Sequence, residues 1–246
     1  MRVFLHRIGT AGLALAAMLM AGLAAAARKM LAEKRPDVQI VGDELHPLQK
    51  VQDFSPYVAK IKASGADTVI TGNWSNDMLL LFKAGKDAGL KVNWFTYYGG
   101  GLGSVPAIGK DGVGYLKQVT EHHNNVTPEL LPDEVAFEKK YTDKSDMMYY
   151  WRIRNMFALL DAAAKKAKSN DPVKIAKALE GMKLDTPLGP MEMRADNHQL
   201  LQPLFVSTLS DKVKYDVEKS GLGFVTDEKI DAAKTAYPTT CQMPRP

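Results

Sequence analysis

The chain has 246 residues, 46% of them hydrophobic and 24% charged, with a formal net charge of +4. That length suffices for one large or two small domains with a proper core, and the composition excludes a disordered or fibrous chain. No basic cluster is interleaved with aromatics, which argues against nucleic acid as a partner, and the single cysteine, Cys241, rules out an internal disulfide.

The first 27 residues stand apart from the rest. "MRVFLHR" is short and basic, and residues 8–27 carry no charge until Arg28. A basic segment, an apolar segment and an Ala-rich end read as a secretory signal over residues 1–26, cleaved after Ala26 or Ala27. The competing reading is a membrane anchor, because the uncharged run is close to the roughly 20 residues that span a bilayer. No cysteine follows the apolar run, so lipid anchoring through a cysteine is not expected. Cleavage would leave 30 basic against 28 acidic residues, and a lone cysteine is unusual in an exported protein.

Beyond Arg28 strands and helices alternate. Val38–Gly42 ("VQIVG") reads as a short buried strand. "FSPYVAKIKAS" places Tyr57, Val58 and Ile61 at helical spacing, with Ser55 as N-cap, Pro56 at the first helical position and Gly65 as the stop. "DTVITG" is a second strand, and "SNDMLLLFKAGKDAGL" a second helix capped by Ser75 or Asn76. "KVNWFTYY" is a third strand, and a fourth lies within "GVGYLKQVTEHH". This alternation predicts an α/β fold with a parallel, Rossmann-like sheet and right-handed crossovers. Ligands in such sheets bind beyond the carboxyl ends of the strands, which here are Asn73–Asp77 and Tyr97–Gly101.

From Pro128 onward helices dominate: "PDEVAFEKKYTD", "DMMYYWRIRNMFALLDAAAKKAKS" and "DPVKIAKALEGMK". Ile153, Met156, Phe157 and Leu160 form one apolar stripe on the middle helix. "TPLGPMEMRADNHQ" reads as a hairpin or extended connection, "PLFVSTLS" as a late strand, and the tail "YPTTCQMPRP" as irregular.

Few motifs carry chemistry. "YYGGGLGS" follows a strand, as a dinucleotide-binding turn would, but Ser104 stands in place of the third glycine and Pro106 interrupts the receiving helix. "EHHNN" (Glu121–Asn125) contains metal-ligand residue types, yet adjacent histidines on a strand point to opposite faces, so a solvated strand end is expected and no metal. No nucleophile elbow, His-Glu-x-x-His helix or P-loop occurs, so neither an enzyme nor a cofactor is expected. What remains is an aromatic group at the strand ends, with polar neighbours suited to a small ligand. The candidate ligand-binding residues are Asn73, Trp74, Ser75, Tyr97, Tyr98 and Gly99.

"DFSPYVAKIKASGADTVITGNW", "KDAGLKVNWFTYYG" and "ALEGMKLDTPLGPMEMRADNHQ" together resemble the periplasmic substrate-binding proteins of branched-chain amino acid ABC transporters, which have the type I periplasmic-binding fold. The resemblance implies two Rossmann-like lobes closing on a solute and a membrane permease that receives it. It assigns residues 27–126 and 196–246 to the second lobe and 127–195 to the helical part of the first. The segment that would supply most of the amino-terminal lobe has no counterpart before Arg28, so weak binding and self-association through the uncovered stripe are expected. Tyr98 stands where amino acid receptors of the family commonly place an acid, which shifts the expected ligand from an aliphatic amino acid toward an aromatic or amide-like solute. Rival readings are a ligand-sensing regulator of the same fold and a nucleotide-dependent enzyme.

Overall fold

A computed structural model describes residues 1–9, 27–141 and 147–239. Residues 10–26, most of the uncharged run of the expected signal, and Cys241 in the tail lie outside these described residues. The chain forms two compact units, the first comprising Met1–Val119 and Ser207–Val225 and the second Thr120–Val206 and Thr226–Pro246.

The first unit is built on a seven-stranded sheet. Its strands in chain order are β1 (Arg2–Gly9), β2 (Gln39–Pro47), β3 (Thr68–Thr71), β4 (Asn93–Thr96), β5 (Leu116–Thr120), β9 (Leu204–Ser210) and β10 (Gly223–Ile230). They lie in the order β10-β9-β5-β4-β3-β1-β2, and the pairs β1–β2, β1–β3, β3–β4 and β4–β5 are parallel. The order 2-1-3-4-5 is that of a doubly wound sheet, whose strand order reverses between β1 and β3.

The position of β1 was not foreseen. Residues read as the basic start of an export signal form the strand between β2 and β3, with Val3 fully buried. Val3 pairs with both Ile40 and Thr68, and Arg2 is held by Asp67, whose carboxylate accepts the Arg2 N–H at 2.9 Å. β2 is also longer than the five residues expected, because β1 gives it a partner along its whole length. β10 was missed as well, since its Asp227-Glu228-Lys229 run hides an exposed strand end.

The crossovers follow local chemistry. Residues 27–34 form a helix (α1). In α2 (Ser55–Ala63) Val58 and Ile61 face the sheet one turn apart, and Pro56 fits the first turn. The cap differs from expectation by one residue: Phe54 is the N-cap, and Asp53 Oδ1 accepts the Ser55 N–H at 2.8 Å. Helix α3 (Ser75–Asp87) likewise starts after Trp74, without a side-chain cap. A short helix, α4 (Ser104–Ile108), follows β4. The core joins Phe54, Val58, Ile61, Met78, Leu81 and Phe82 from the helices to Val69, Trp94 and Leu116 from the sheet. Phe82 meets Trp94 edge-on with ring centroids 5.4 Å apart.

The second unit contains α5 (Pro132–Tyr141), α6 (Met147–Ala167), α7 (Pro172–Leu179) and an antiparallel sheet of β6 (Lys183–Thr186), β7 (Gly189–Met193) and β8 (Leu200–Leu201). The break between the units therefore falls at Thr120, seven residues before the expected Thr127. Residues 196–206 stay with the hairpin because β8 pairs with β7, and the tail joins them through Arg194 Nη1, which donates to the Tyr237 carbonyl at 2.6 Å.

Helix α6 is apolar on two sides. Trp151, Asn155, Leu159 and Ala163 are buried, and Leu159 and Ala163 pack with Ala178, Met182 and Met191. The stripe singled out from the sequence lies on the other side, with Phe157 63% exposed and Ile153, Met156 and Leu160 also exposed. A contiguous apolar patch of this kind drives association. We expect the chain to self-associate in light scattering, and Phe157→Lys with Leu160→Lys to lower the apparent mass with an unchanged far-UV spectrum. Unaltered mass in that variant would show that the stripe is not responsible.

Candidate functional site

One face of the central sheet changes character within a single pleat. Val69, Trp94 and Leu116 lie side by side in register across β3, β4 and β5, each no more than 4% exposed. Two residues further on, on the same face, the row is Thr71, Thr96 and Gln118, equally buried. A buried hydroxyl without a partner costs roughly 1–3 kcal/mol, and here each hydroxyl turns back onto the loop that follows its strand. Thr71 Oγ1 accepts the Asn73 N–H at 3.1 Å. Thr96 Oγ1 accepts the Gly99 N–H at 3.0 Å and donates to the Lys117 carbonyl at 2.9 Å. Gln118 Oε1 has no partner among the described residues.

The turn after β3 carries Asn73, Trp74 and Ser75. Asn73 is fully buried. Its Nδ2 donates to the Asp77 main-chain oxygen at 3.4 Å, which fixes the amide so that Oδ1 faces the Thr71 hydroxyl and His46 Nε2, each at 3.1 Å. Its hydrogen-bonding groups are thus turned inward. Trp74 is half-buried, and Ser75 is exposed with a left-handed φ of 52°.

In the turn after β4 Tyr97 is 42% exposed, while Tyr98 is half-buried and packs against the main core. Desolvation, and secondarily the neighbouring Tyr98, push the Tyr97 phenol above its usual range, so it remains a hydrogen-bond donor at neutral pH. Gly99 is buried and its N–H is taken by Thr96. A Cβ there would overlap Thr96 Oγ1 and press on Leu116, so its absence of a side chain serves packing. Of the six candidates, Trp74, Ser75, Tyr97 and Tyr98 have side chains at least partly open to solvent, and Asn73 and Gly99 shape the turns that carry them. None of the six is charged.

The Glu121–Asn125 segment departs from the solvated strand end expected of it. Glu121, His122, His123 and Asn124 are all at most 9% exposed. Arg152 donates to Glu121 through Nε and Nη2 at 2.8 and 2.9 Å. The His122 ring stacks on Trp151 with centroids 5.4 Å apart, and its Nε2 contacts Glu134 Oε1. The other Glu134 oxygen accepts the Leu131 N–H at 2.6 Å, the helix-start half of a capping box. The pull inward comes from helices α5 and α6, whose contacting residues lie 12 to 31 positions away and leave no local signal. Among the described residues no group of three or more His, Cys, Asp or Glu side chains could hold a metal.

His123 shows how this burial couples to pH. Its Nδ1 accepts the Asn125 N–H at 3.2 Å, so Nε2 carries the proton and donates to Thr226 Oγ1 at 2.8 Å. Burial, helped by nearby His122, pushes its pKa down to about 3 from 6.5. The folded state therefore refuses a proton that the unfolded chain accepts, and stability falls as pH drops from 6.5 toward 3, by about 1.4 kcal/mol per unit. Urea unfolding at pH 7 and pH 5 is expected to show this loss, and His123→Gln to flatten it. An equal slope in both proteins would contradict the assignment.

The first unit is thus an α/β domain whose doubly wound sheet carries uncharged aromatic and hydroxyl side chains at adjacent strand ends. Residues 14–214 match the family model described as periplasmic binding protein, and the chain belongs to that family. It is 33% identical over 221 residues to the Leu/Ile/Val-binding protein homolog 4 of Brucella melitensis, covering 85% of this chain and 51% of that protein. The chain thus spans about half the length of the curated relatives it matches. Among solved structures, the leucine-, isoleucine-, valine-, threonine- and alanine-binding protein of Brucella ovis, in its closed conformation, superposes with a TM-score of 0.76 at 28% identity over 100% of this chain and 62% of that one. An ABC-transporter solute-binding protein of Rhodopseudomonas palustris HaA2, in complex with p-hydroxybenzoic acid, shares the fold with a TM-score of 0.67 at 22% identity, over 94% of this chain and 60% of that one. This is a family of substrate-binding proteins, not of enzymes.

Proposed function

We propose that the chain serves an ABC importer as an exported, periplasmic solute-binding protein, holding a small solute at the carboxyl ends of β3 and β4 and passing it to a membrane permease. The observation that carries this reading is the pair of strand-end turns, each tied to the sheet by a buried threonine and each presenting a partly exposed aromatic ring. Trp74 and Tyr98 line or stack on the solute, and Ser75 and Tyr97 supply hydrogen bonds to it. The role ends at binding, with no bond made or broken.

Among amino acids and related solutes, aromatic or amide-like compounds fit this set better than aliphatic amino acids. A free ammonium group calls for a carboxylate, and the phenol of Tyr98 is not one. Planar rings instead gain about 0.5–1.5 kcal/mol from each well-placed aromatic beyond the area they bury.

Binding is tested by titrating the protein with 4-hydroxybenzoate, phenylalanine and leucine while following its three indole N–H resonances by NMR, which detects weak complexes. We expect the Trp74 resonance to move with saturation, more readily for the aromatic solutes than for leucine, and the buried Trp94 and Trp151 to stay put. Trp74→Ala and Tyr98→Ala should each weaken binding about 2- to 13-fold, Trp74→Ala with little change in melting temperature and Tyr98→Ala with a modest fall from its core packing. No response at Trp74 to any of the three, or equal losses of affinity and melting temperature, would overturn the reading.

Export makes its own prediction. Cleavage after Ala26 or Ala27 would remove β1, so the signal and the strand are exclusive uses of Arg2–Gly9 in one molecule. Intact-mass measurement on periplasmic protein is expected to show a start near Ala27 or Arg28. A soluble cytoplasmic protein retaining Met1 would refute processing.

A further inference from the structure

Behind Trp74 lies a buried polar cluster that joins three separate segments. His46, at the end of β2, Asn73, in the turn after β3, and Asp77, in the first turn of α3, are each at most 1% exposed. His46 Nε2 meets Asn73 Oδ1 at 3.1 Å, and Asn73 Nδ2 reaches the Asp77 main-chain oxygen. Asp77 Oδ2 accepts the Gln49 N–H at 2.9 Å and lies 4.0 Å from His46 Nδ1. Phe54 closes one side of the imidazole, edge-on at 4.9 Å.

Among the described residues, two of the five non-glycine residues with left-handed φ sit on this cluster. Gln49, at 53°, is held by the Asp77 carboxylate, and Ser75, at 52°, lies between Asn73 and Asp77 in sequence. Such conformations are unfavourable for residues with a Cβ and persist only where the surroundings impose them. The cluster supplies that constraint, since Asn73 grips one flank of Trp74–Ser75 and Asp77 the other. Asp77 keeps Oδ1 buried without a partner among the described residues, a cost hard to explain if the group served stability alone.

We propose that Asn73, Asp77 and His46 are positioning residues that set the orientation of Trp74 for the solute. The inference rests on the reading above that Trp74 meets the solute, but it is tested first without one. Trp94 and Trp151 are 4% and 2% exposed, whereas Trp74 is half-buried, so iodide quenching of tryptophan fluorescence reports on Trp74. In Asn73→Ala and Asp77→Asn we expect the quenching slope to rise at least twofold. Amide hydrogen exchange over residues 72–79 should also accelerate at least tenfold.

Asn155→Ala is the control. It breaks a buried side-chain pair of the second unit, in which Asn155 Nδ2 donates to Gln202 Oε1 at 2.9 Å, and should lower the melting temperature while leaving both readouts unchanged. If Asn73→Ala folds poorly, Asn73→Ala with Ser75→Gly relieves the left-handed strain. That double variant should recover melting temperature and retain the faster exchange and stronger quenching. Unchanged quenching and exchange in Asp77→Asn, or an equal response in Asn155→Ala, would overturn the proposal. A positive result with no response to 4-hydroxybenzoate would uphold the positioning network and count only against the solute assignment.

Discussion

A buried hydroxyl at the end of a strand must find a partner, and in this protein that requirement organises the site. Thr71 and Thr96 occupy the row where the sheet's inner face passes from the apolar layer of Val69, Trp94 and Leu116 to polar side chains. Each turns to a backbone N–H two or three residues ahead, and so closes a turn against the sheet. Without those bonds the turns would be ordinary surface loops. With them, an indole and a phenol are carried on backbone that is anchored to the core.

In the unprocessed chain the sheet also depends on β1, whereas the turns after β3 and β4 are tied by Thr71 and Thr96 with or without it. Placed between β2 and β3, it creates the reversal of strand order at which doubly wound sheets bind ligands, and Trp74 follows the strand on one side of that reversal. The same residues, Arg2–Gly9, have the composition of a targeting sequence, because a basic start followed by Val, Phe, Leu and Ile satisfies the chemistry of either role. Composition alone could not separate them. Pairing with Gln39–Pro47 on one side and Thr68–Thr71 on the other is a long-range property that a local reading does not contain.

Other parts were legible for the complementary reason. Strands β3, β4 and β5 and helices α2 and α3 are set by short-range patterns, and the glycines that end the helices, Gly65 and Gly89, do adopt left-handed φ values of 63° and 61°. The aromatic strand ends were visible in the same way. What residue types did not disclose was direction. Asn73 and Gly99 sit among the candidates but turn to the protein interior, and the Glu121–Asn125 segment is buried by α5 and α6, which come later in the chain. His46 escaped notice because the residue that explains it, Asn73, lies 27 positions away.

The threonine tethers also act as rulers. A side chain with a single rotatable bond to its hydroxyl reaches only a fixed number of residues ahead, so the spacings Thr71–Asn73 and Thr96–Gly99 are mechanical constraints on loop length. An inserted or deleted residue within either span would detach the loop from the sheet. Residues 72, 74, 97 and 98 meet no such constraint from the tether, which holds backbone at 73 and 99. Side chains at those four positions can therefore be exchanged on loops of constant length, without any remodelling of the frame beneath them.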